Sequence, residues 1–158
     1  MTVKEFLDYL SQELNRSPRT VTSYAEDLYA FEAYFLDKDE GLTWETIDTD
    51  IIRDWMESMV DKGNSPSSVA RRLSAVKGFF KFALAREFIS SDPAHAIRSP
   101  KRSRPLPQFL KENEINDLLD KQAWGDDFKG LRDRLIIMML YETGVRLAEL
   151  VGMDDEAV

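Results

Sequence analysis

The sequence predicts an all-α protein, and three observations along its 158 residues support that fold class. Serine, threonine or aspartate residues that can cap a helix stand directly before the amphipathic segments. Within those segments, apolar residues recur every three or four positions, which is the spacing of one face of an α-helix. No segment alternates polar and apolar residues with the period of two that is typical of a half-buried strand. We therefore expect helical bundles without a sheet.

Two helices are predicted near the N-terminus. Thr2 and Glu5 form a T-x-x-E capping box, and the apolar stripe that follows predicts a helix over 3–14. The Ser-Pro pair at 17–18 places a capping hydroxyl before a proline at the first helical position, where its missing N–H costs nothing. This pair predicts a helix over about 18–36.

Two more helices follow in the same domain. Asp48 or Thr49 can cap a helix over about 50–62. A second Ser-Pro pair, at 65–66, predicts a long helix over about 66–87. These four helices are expected to form a first domain over residues 1–98.

A linker is predicted over residues 99–108, which contain three prolines and three basic residues and cannot form a helix. A second domain should then occupy residues 109–158, with helices over about 111–122 and 128–143. The latter is apolar nearly all round, which is typical of the interior of a larger domain. We therefore expect the chain to stop partway through that domain, and self-association is another way to cover this helix.

Composition excludes several classes of function. The chain has no cysteine and one histidine, so it cannot hold a disulfide frame, a Cys-type zinc site, a thiol nucleophile or a multi-His metal site. No apolar run approaches the roughly 20 residues that span a membrane, and the N-terminus lacks the features of a signal peptide. We expect a cytoplasmic protein without a bound metal.

The charge is distributed unevenly along the chain. The formal net charge is −8, which argues against a nucleic-acid partner if it is spread evenly. Residues 1–60 carry a net −9, residues 61–110 a net +7, and residues 111–158 a net −6. This asymmetry favours an anionic partner that docks on the middle segment.

The long helix predicted over 66–87 offers a candidate surface for such a partner. Helical spacing places Arg71, Ser74 and Gly78 outward, with Lys77 and Lys81 on one flank. Small residues between cations let a helix lie close to a phosphate backbone. A solvated basic face without a partner explains the same pattern.

Two further groups of residues are candidates for phosphate contacts. Arg19 and Thr20 stand at the start of the second predicted helix, where unpaired backbone N–H groups suit a phosphate. Lys101, Arg102 and Arg104 lie in the linker, which could track a phosphate backbone. Helix capping alone would explain the presence of Thr20. A linker that is only kept soluble by its charges would explain the three basic linker residues.

The segment ETGVRLAEL, residues 142–150, places an arginine at a helix start. Gly144 ends one helix and a new one begins, so Arg146 stands where backbone N–H groups favour an anion. Its guanidinium can bind two oxygens of one phosphate, and Glu149 could fix its orientation. A plain surface ion pair between Arg146 and Glu149 is the other interpretation.

Five motifs follow one another along almost the whole chain: EFLDYL, SPRTVTSYAEDLYAF, SPSSVARRLSAVKGFFKFA, DPAHAIRSPKRSRPLP and LRDRLIIMMLYETGVRLAEL. Their order resembles that of the tyrosine recombinase (phage integrase) family, and within it the Xer-like recombinases. The resemblance implies a small helical-bundle core-binding (SAM-like) domain, a linker, and the helical beginning of a truncated catalytic domain. It also implies site-specific recombination of duplex DNA through a 3′-phosphotyrosyl intermediate, in a tetramer of protomers and without a metal or cofactor.

The resemblance also assigns roles to particular residues. The arginine of the family's T-G-x-R-x-x-E-L motif binds the scissile phosphate and corresponds to Arg146, with Glu149 supporting it. The family's DNA contacts correspond to Arg71, Ser74 and Lys77 in the long helix and to Lys101 and Arg102 in the linker. Arg19, Thr20 and Lys81 complete the predicted DNA-binding set.

This chain departs from the family pattern after that motif. Residues 147–158 contain no lysine, histidine, arginine or tyrosine, the residue types of the family's remaining catalytic groups. We therefore expect that these 158 residues alone do not cleave DNA. Two alternatives stay open, a non-catalytic DNA-binding regulator and a helical protein-interaction module without a DNA role.

Overall fold

A computed structural model describes residues 1–101, 109–121 and 124–153, and all the secondary structure in these ranges is helical. The all-α prediction is confirmed. The chain divides into two compact units, Met1–Arg104 and Pro105–Val158. Among the described residues, no helix combines the length and the hydropathy that a membrane span requires.

The first unit has four α-helices, which begin where the capping residues predict. They are α1 (Val3–Asp8), α2 (Pro18–Lys38), α3 (Thr49–Asp61) and α4 (Pro66–Ala85). Ser17 and Ser65 each accept the backbone N–H of the third residue of their helix at 3.2 Å. Asp48, rather than Thr49, caps α3. The local start signals were therefore sufficient to place these helices.

The prediction of one continuous α-helix over 3–14 is wrong in its second half. The α-helix ends at Asp8 and continues as a π-helical segment, Tyr9–Glu13, in which the Leu14 N–H donates to the Tyr9 carbonyl at 3.1 Å. The wider π-helical turn accompanies tertiary packing, which the spacing of apolar residues along one helix cannot predict. Leu10 is buried, and the Tyr9 ring lies 4.9 Å from the ring of Phe82 in α4.

Helix α4 is the centre of the first unit, because it packs against each of the other three helices and contributes nine buried side chains. Phe79 is fully buried, and its ring centroid lies 4.3 Å from that of Trp44 and 5.6 Å from that of Phe6. The Trp44 ring in turn contacts Phe31 and Phe35 of α2. This continuous aromatic core leaves only a narrow strip of α4 exposed.

Gly78 lies at the edge of that exposed strip and is half-exposed, so its predicted outward position is only partly met. A Cβ atom at this position would lie 3.4 Å from both the Phe6 Cζ and the Tyr24 Cε1 atoms. The glycine therefore sits where side chains of α1 and α2 contact α4. A helical wheel of α4 alone cannot show this, because two neighbouring helices cover different sides of the helix.

The chain after α4 folds back onto the first unit. The chain makes a turn at Asp92, whose Oδ1 atom accepts the Ala94 N–H at 2.8 Å. Ala94 and Ile97 are buried, and the Thr49 hydroxyl donates to the Pro93 carbonyl at 2.9 Å. This packing holds the Ile97 carbonyl close to α4.

The second unit contains three helices within its described residues: α5 (Glu112–Lys121), α6 (Phe128–Thr143) and α7 (Leu147–Val151). Helix α6 has the predicted bounds, and Gly144 ends it in the left-handed conformation at φ 65°. Apolar side chains of α6 are exposed, among them Leu131 and Leu135. These exposed apolar side chains agree with the sequence pattern, in which apolar residues surround nearly the whole helix.

Candidate nucleic-acid interface

The start of α2 and the exposed strip of α4 meet at one cleft in the first unit. Its volume is about 420 Å³. The residues that line it are Ser17, Arg19, Thr20, Ser23, Tyr24, Asp27, Arg71 and Ser74. Four of these were predicted as DNA contacts from two separate segments of sequence. The fold brings those segments together in a single concave surface, which we call the α2/α4 cleft.

A second cleft adjoins the first and contains Lys81. Its volume is about 300 Å³, and it shares Thr20 and Tyr24 with the α2/α4 cleft. Apolar side chains of α1 and α4, including Phe6 and Phe82, form much of its lining. The shared residues make the two clefts one continuous surface, which has Arg19 and Arg71 in one part and Lys81 in the other.

Arg71 is held in the α2/α4 cleft by a carboxylate of α2. Its Nη1 donates to Asp27 Oδ2 at 2.5 Å, and its Nη2 donates to Asp27 Oδ1 at 2.9 Å. The Asp27 side chain is 5% exposed, whereas that of Arg71 is 54% exposed. Burial raises the pKa of Asp27, although the charge and hydrogen bonds of Arg71 act in the opposite direction.

Asp27 was not among the residues predicted from the sequence, although the sequence contains a signal for it. The apolar stripe of α2 includes Tyr24, Leu28 and Phe31, and Asp27 falls within that stripe at helical spacing. An aspartate on a buried helix face requires a partner, because an unpaired buried charge is costly. Only the structure identifies Arg71 as that partner.

The cleft surface keeps an excess of positive charge despite Asp27. Arg72 Nε lies 3.8 Å from the Asp27 Oδ1 atom, so two guanidinium groups share one carboxylate. Among the described residues, no carboxylate lies within 4.0 Å of a side-chain nitrogen of Arg19 or Lys81. Three of the predicted cations, Arg19, Arg71 and Lys81, therefore lie on one surface, and of these three only Arg71 is paired with a carboxylate there.

The start of α2 offers less to an anion than the sequence analysis expected. Pro18 has no N–H, Ser17 Oγ accepts the N–H of Thr20, and the Ser17 carbonyl accepts the N–H of Val21 at 3.1 Å. All residues of this first turn lie within the described range, and the only backbone N–H group among them without a hydrogen bond is that of Arg19. The expectation of several unpaired N–H groups is wrong, because capping satisfies them.

Ser74 and Thr20 carry hydroxyl groups whose hydrogen bonds are local. Ser74 Oγ donates to the Ala70 carbonyl at 2.8 Å, and Thr20 Oγ1 lies 2.9 Å from Ser17 Oγ. The Ser74 hydroxyl would have to exchange this bond in order to donate to a phosphate, whereas the Thr20 hydroxyl can donate directly when Ser17 Oγ is the donor of their pair. Their part in binding stays a prediction.

Lys77 points away from the α2/α4 cleft. Its Nζ donates to the Ile97 carbonyl at 2.5 Å, so it ties α4 to the segment that follows it. It lines neither of the two clefts. A DNA contact by Lys77 stays a prediction, but the structure provides a structural role for this residue.

We expect Lys77→Ala to lower the free energy of unfolding by about 1–2 kcal/mol, because a hydrogen bond to a charged group is lost from a partly buried carbonyl. Urea unfolding followed by circular dichroism measures this change. Lys81→Ala is the matched control, since it makes the same substitution one helical turn later at an exposed side chain. Equal stability of the two variants would contradict the structural role of Lys77.

The structure describes only one of the two linker residues that were predicted to contact DNA. Lys101 is exposed at the end of the first described range. Arg102 lies outside the described residues. The predicted DNA contacts of Lys101 and Arg102 stay predictions.

In the second unit, Arg146 and Glu149 form the ion pair that the sequence suggests. Arg146 Nη1 donates to Glu149 Oε1 at 2.8 Å, and the Arg146 backbone N–H donates to Glu149 Oε2 at 2.9 Å. These hydrogen bonds, led by that of the backbone N–H, lower the pKa of Glu149. The Arg146 side chain is 83% exposed. The carboxylate therefore orients the guanidinium and leaves most of it accessible.

Comparisons with known proteins give a consistent result. The family model described as phage integrase, N-terminal SAM-like domain, matches residues 3–87. Tyrosine recombinase XerC of Natranaerobius thermophilus is 38% identical over 150 residues, which are 95% of this chain and 50% of that protein. Tyrosine recombinase XerD of Oceanobacillus iheyensis is 29% identical over 152 residues, which are 96% of this chain and 50% of that protein. The chain spans about half the length of the curated relatives it matches.

A solved structure shows the same fold. A lambda integrase dimer bound to a COC′ core site aligns with a TM-score of 0.66 and 21% sequence identity. The alignment covers all of this chain and 43% of the integrase chain.

Proposed function

This chain belongs to the tyrosine recombinase (phage integrase) family, among its Xer-like members, and from that premise we propose that residues 1–98 form a core-binding domain that grips duplex DNA. The α2/α4 cleft and the adjoining surface around Lys81 are the proposed contact surface. We also propose a cytoplasmic location for this protein. The linker over residues 99–108 then leads to the beginning of the catalytic domain.

This proposal rests mainly on one observation, that Arg19 and Arg71 line the same cleft. Phosphate contacts by arginine and lysine supply most of the sequence-independent affinity of proteins for DNA. They also fix the orientation of the protein on the duplex. Two cations from different helices, with small hydroxyl side chains between them, suit a run of phosphates better than they suit one small anion.

For the longer parent protein we propose site-specific recombination. A tyrosine attacks the scissile phosphate, forms a 3′-phosphotyrosyl bond and releases a 5′-hydroxyl group, and a partner strand's 5′-hydroxyl then displaces the tyrosine. This exchange conserves the phosphodiester energy and needs no high-energy cofactor. The reaction joins two duplexes, so other protomers are expected on the DNA in a tetrameric synapse.

Arg146 is proposed to bind the scissile phosphate in that reaction. Its guanidinium can donate to two phosphate oxygens and stabilise the extra negative charge of the five-coordinate transition state. Glu149 supports it by the two hydrogen bonds that orient the arginine. The exposure of Arg146 leaves room for this contact.

Arg71→Ala tests the DNA-binding proposal. We expect this variant to bind a labelled duplex about fivefold more weakly than the wild-type chain at low salt, because one phosphate contact is lost. Fluorescence anisotropy of the duplex measures the affinity. Arg53→Ala is the matched control, since Arg53 is an exposed cation of α3 that is paired with Asp50 and lines neither cleft.

The control should bind like the wild-type chain. If Arg71→Ala and Arg53→Ala weaken binding equally, only net charge matters and the α2/α4 cleft is not the contact surface. If the wild-type chain does not bind duplex DNA at low salt, the proposed function itself is wrong.

A further inference from the structure

Asp27 is an acidic residue in the middle of a surface that should attract a polyanion. Its carboxylate lies in the lining of the α2/α4 cleft, between α2 and α4. Electrostatics alone predicts that such a charge weakens DNA binding, because it repels the phosphates. The geometry of the residue indicates the opposite effect.

The carboxylate fixes the plane of the Arg71 guanidinium. Both Asp27 oxygens accept from Arg71, one from each terminal nitrogen, in a two-pronged pair. A guanidinium has five N–H donors, so this pair leaves three of them for another partner. The Asp27 side chain is 5% exposed and that of Arg71 is 54% exposed, so the clamped edge is buried and the rest of the group is accessible.

Arg72 completes the arrangement by offsetting the charge of Asp27. Its Nε atom is buried, has no hydrogen-bond partner among the described residues, and lies 3.8 Å from Asp27 Oδ1. The side chain also reaches the Met59 sulfur with Nη1 at 3.6 Å. With two arginines on one carboxylate, the cluster as a whole keeps a positive charge.

Stability alone does not account for this ion pair, in which only the Asp27 side chain is buried. A carboxylate buried in this way loses so much solvation, even beside a partner, that an apolar replacement is often as stable. A guanidinium that is held in one orientation, by contrast, loses less conformational freedom when it binds a phosphate. The pair therefore suits a role in binding.

We infer that Asp27 is a positioning residue, which holds the Arg71 guanidinium in the orientation that contacts a DNA phosphate. This inference rests on the proposed function and adds a residue whose own charge is unfavourable to DNA. Asp27 acts only through Arg71 and does not touch the DNA.

Asp27→Asn separates positioning from electrostatic repulsion. The variant removes a negative charge at nearly constant shape and breaks the two-pronged pair. We expect it to bind duplex DNA about fivefold more weakly than the wild-type chain, and to reduce the salt slope of binding by about 0.9, the share of one phosphate. Glu26→Gln is the matched control, because it removes the same charge from the neighbouring exposed residue. It should bind as well as the wild-type chain or slightly better.

A double-mutant cycle distinguishes positioning from a general loss of structure. On an Arg71→Ala background, Asp27→Asn should cause no further loss of affinity, because there is no guanidinium left to position. An additional fivefold loss on that background would overturn the inference. Asp27→Asn binding as tightly as Glu26→Gln would overturn it as well.

Arg71→Lys provides a second test if Asp27→Asn does not fold. Lysine keeps the charge at an exposed position but cannot form the two-pronged pair. We expect Arg71→Lys to bind nearly as weakly as Arg71→Ala, and wild-type affinity of this variant would overturn the inference. A wild-type chain without DNA affinity overturns the proposed function and this inference together. If the wild-type chain binds DNA and the Asp27→Asn variant binds it equally well, only the inference is overturned.

Discussion

Phe79→Ala is expected to lower the free energy of unfolding of the first unit by about 3–5 kcal/mol. Phe79 is fully buried in α4, and its ring contacts those of Phe6, Trp44 and Phe80. Its removal leaves a cavity between the part of the aromatic core formed with α1 and the part formed with α2. Since a domain of this size is stable by only about 5–15 kcal/mol, the loss is a large fraction of the total.

Urea unfolding followed by tryptophan fluorescence measures this loss, because the Trp44 ring lies directly against Phe79. Phe88→Ala is the matched control, since Phe88 is 42% exposed and its ring lies 6.1 Å from that of Phe82. We expect the control to lose about 1 kcal/mol or less. Comparable losses in the two variants would show that Phe79 is not at the centre of the core.

DNA binding by the wild-type chain is expected to weaken by about 150-fold when the salt concentration rises fourfold. About 4 neutralised phosphates give a log–log slope near −3.6, which corresponds to this change. The estimate counts the predicted DNA-binding cations on the continuous cleft surface, Arg19, Arg71 and Lys81, together with the exposed Lys101. The acidic segment over residues 1–60 adds a repulsion that salt also screens.

Anisotropy titrations of a labelled duplex over a range of salt concentrations measure the slope. Arg71→Ala should flatten it by about 0.9, and Arg53→Ala should leave it unchanged. An affinity that does not depend on salt would contradict a phosphate-based interface. It would favour the alternative of a helical protein-interaction module.

The helices could be predicted largely because their signals are local. The Ser-Pro pairs before α2 and α4 place a capping oxygen within one turn of the N–H it accepts, and Gly144 ends α6 by its own conformation. No distant residue takes part in these choices. The π-helical segment after α1 is different, since it accompanies packing of Tyr9 against Phe82, far along the chain.

The candidate site could be predicted only in part. Arg19, Thr20, Arg71 and Ser74 were identified from helix starts and helical spacing, but as two unconnected patches. Nothing in either segment states that they share a cleft. That relation depends on how α2 packs against α4. At Gly78, for example, side chains of α1 and α2 cover part of the side of α4 that was predicted to face outward.

The sequence by itself determined the helical class of this protein, the starts of its helices, its family, and the concentration of positive charge in its middle segment. These properties depend on residue types and on spacings within a turn or two. Only the tertiary structure decided that Asp27 clamps Arg71, that Lys77 binds the Ile97 carbonyl, and that two patches form one surface. Each of these contacts joins atoms at least twenty residues apart along the chain, and such atoms meet only after the helices have packed around the aromatic core.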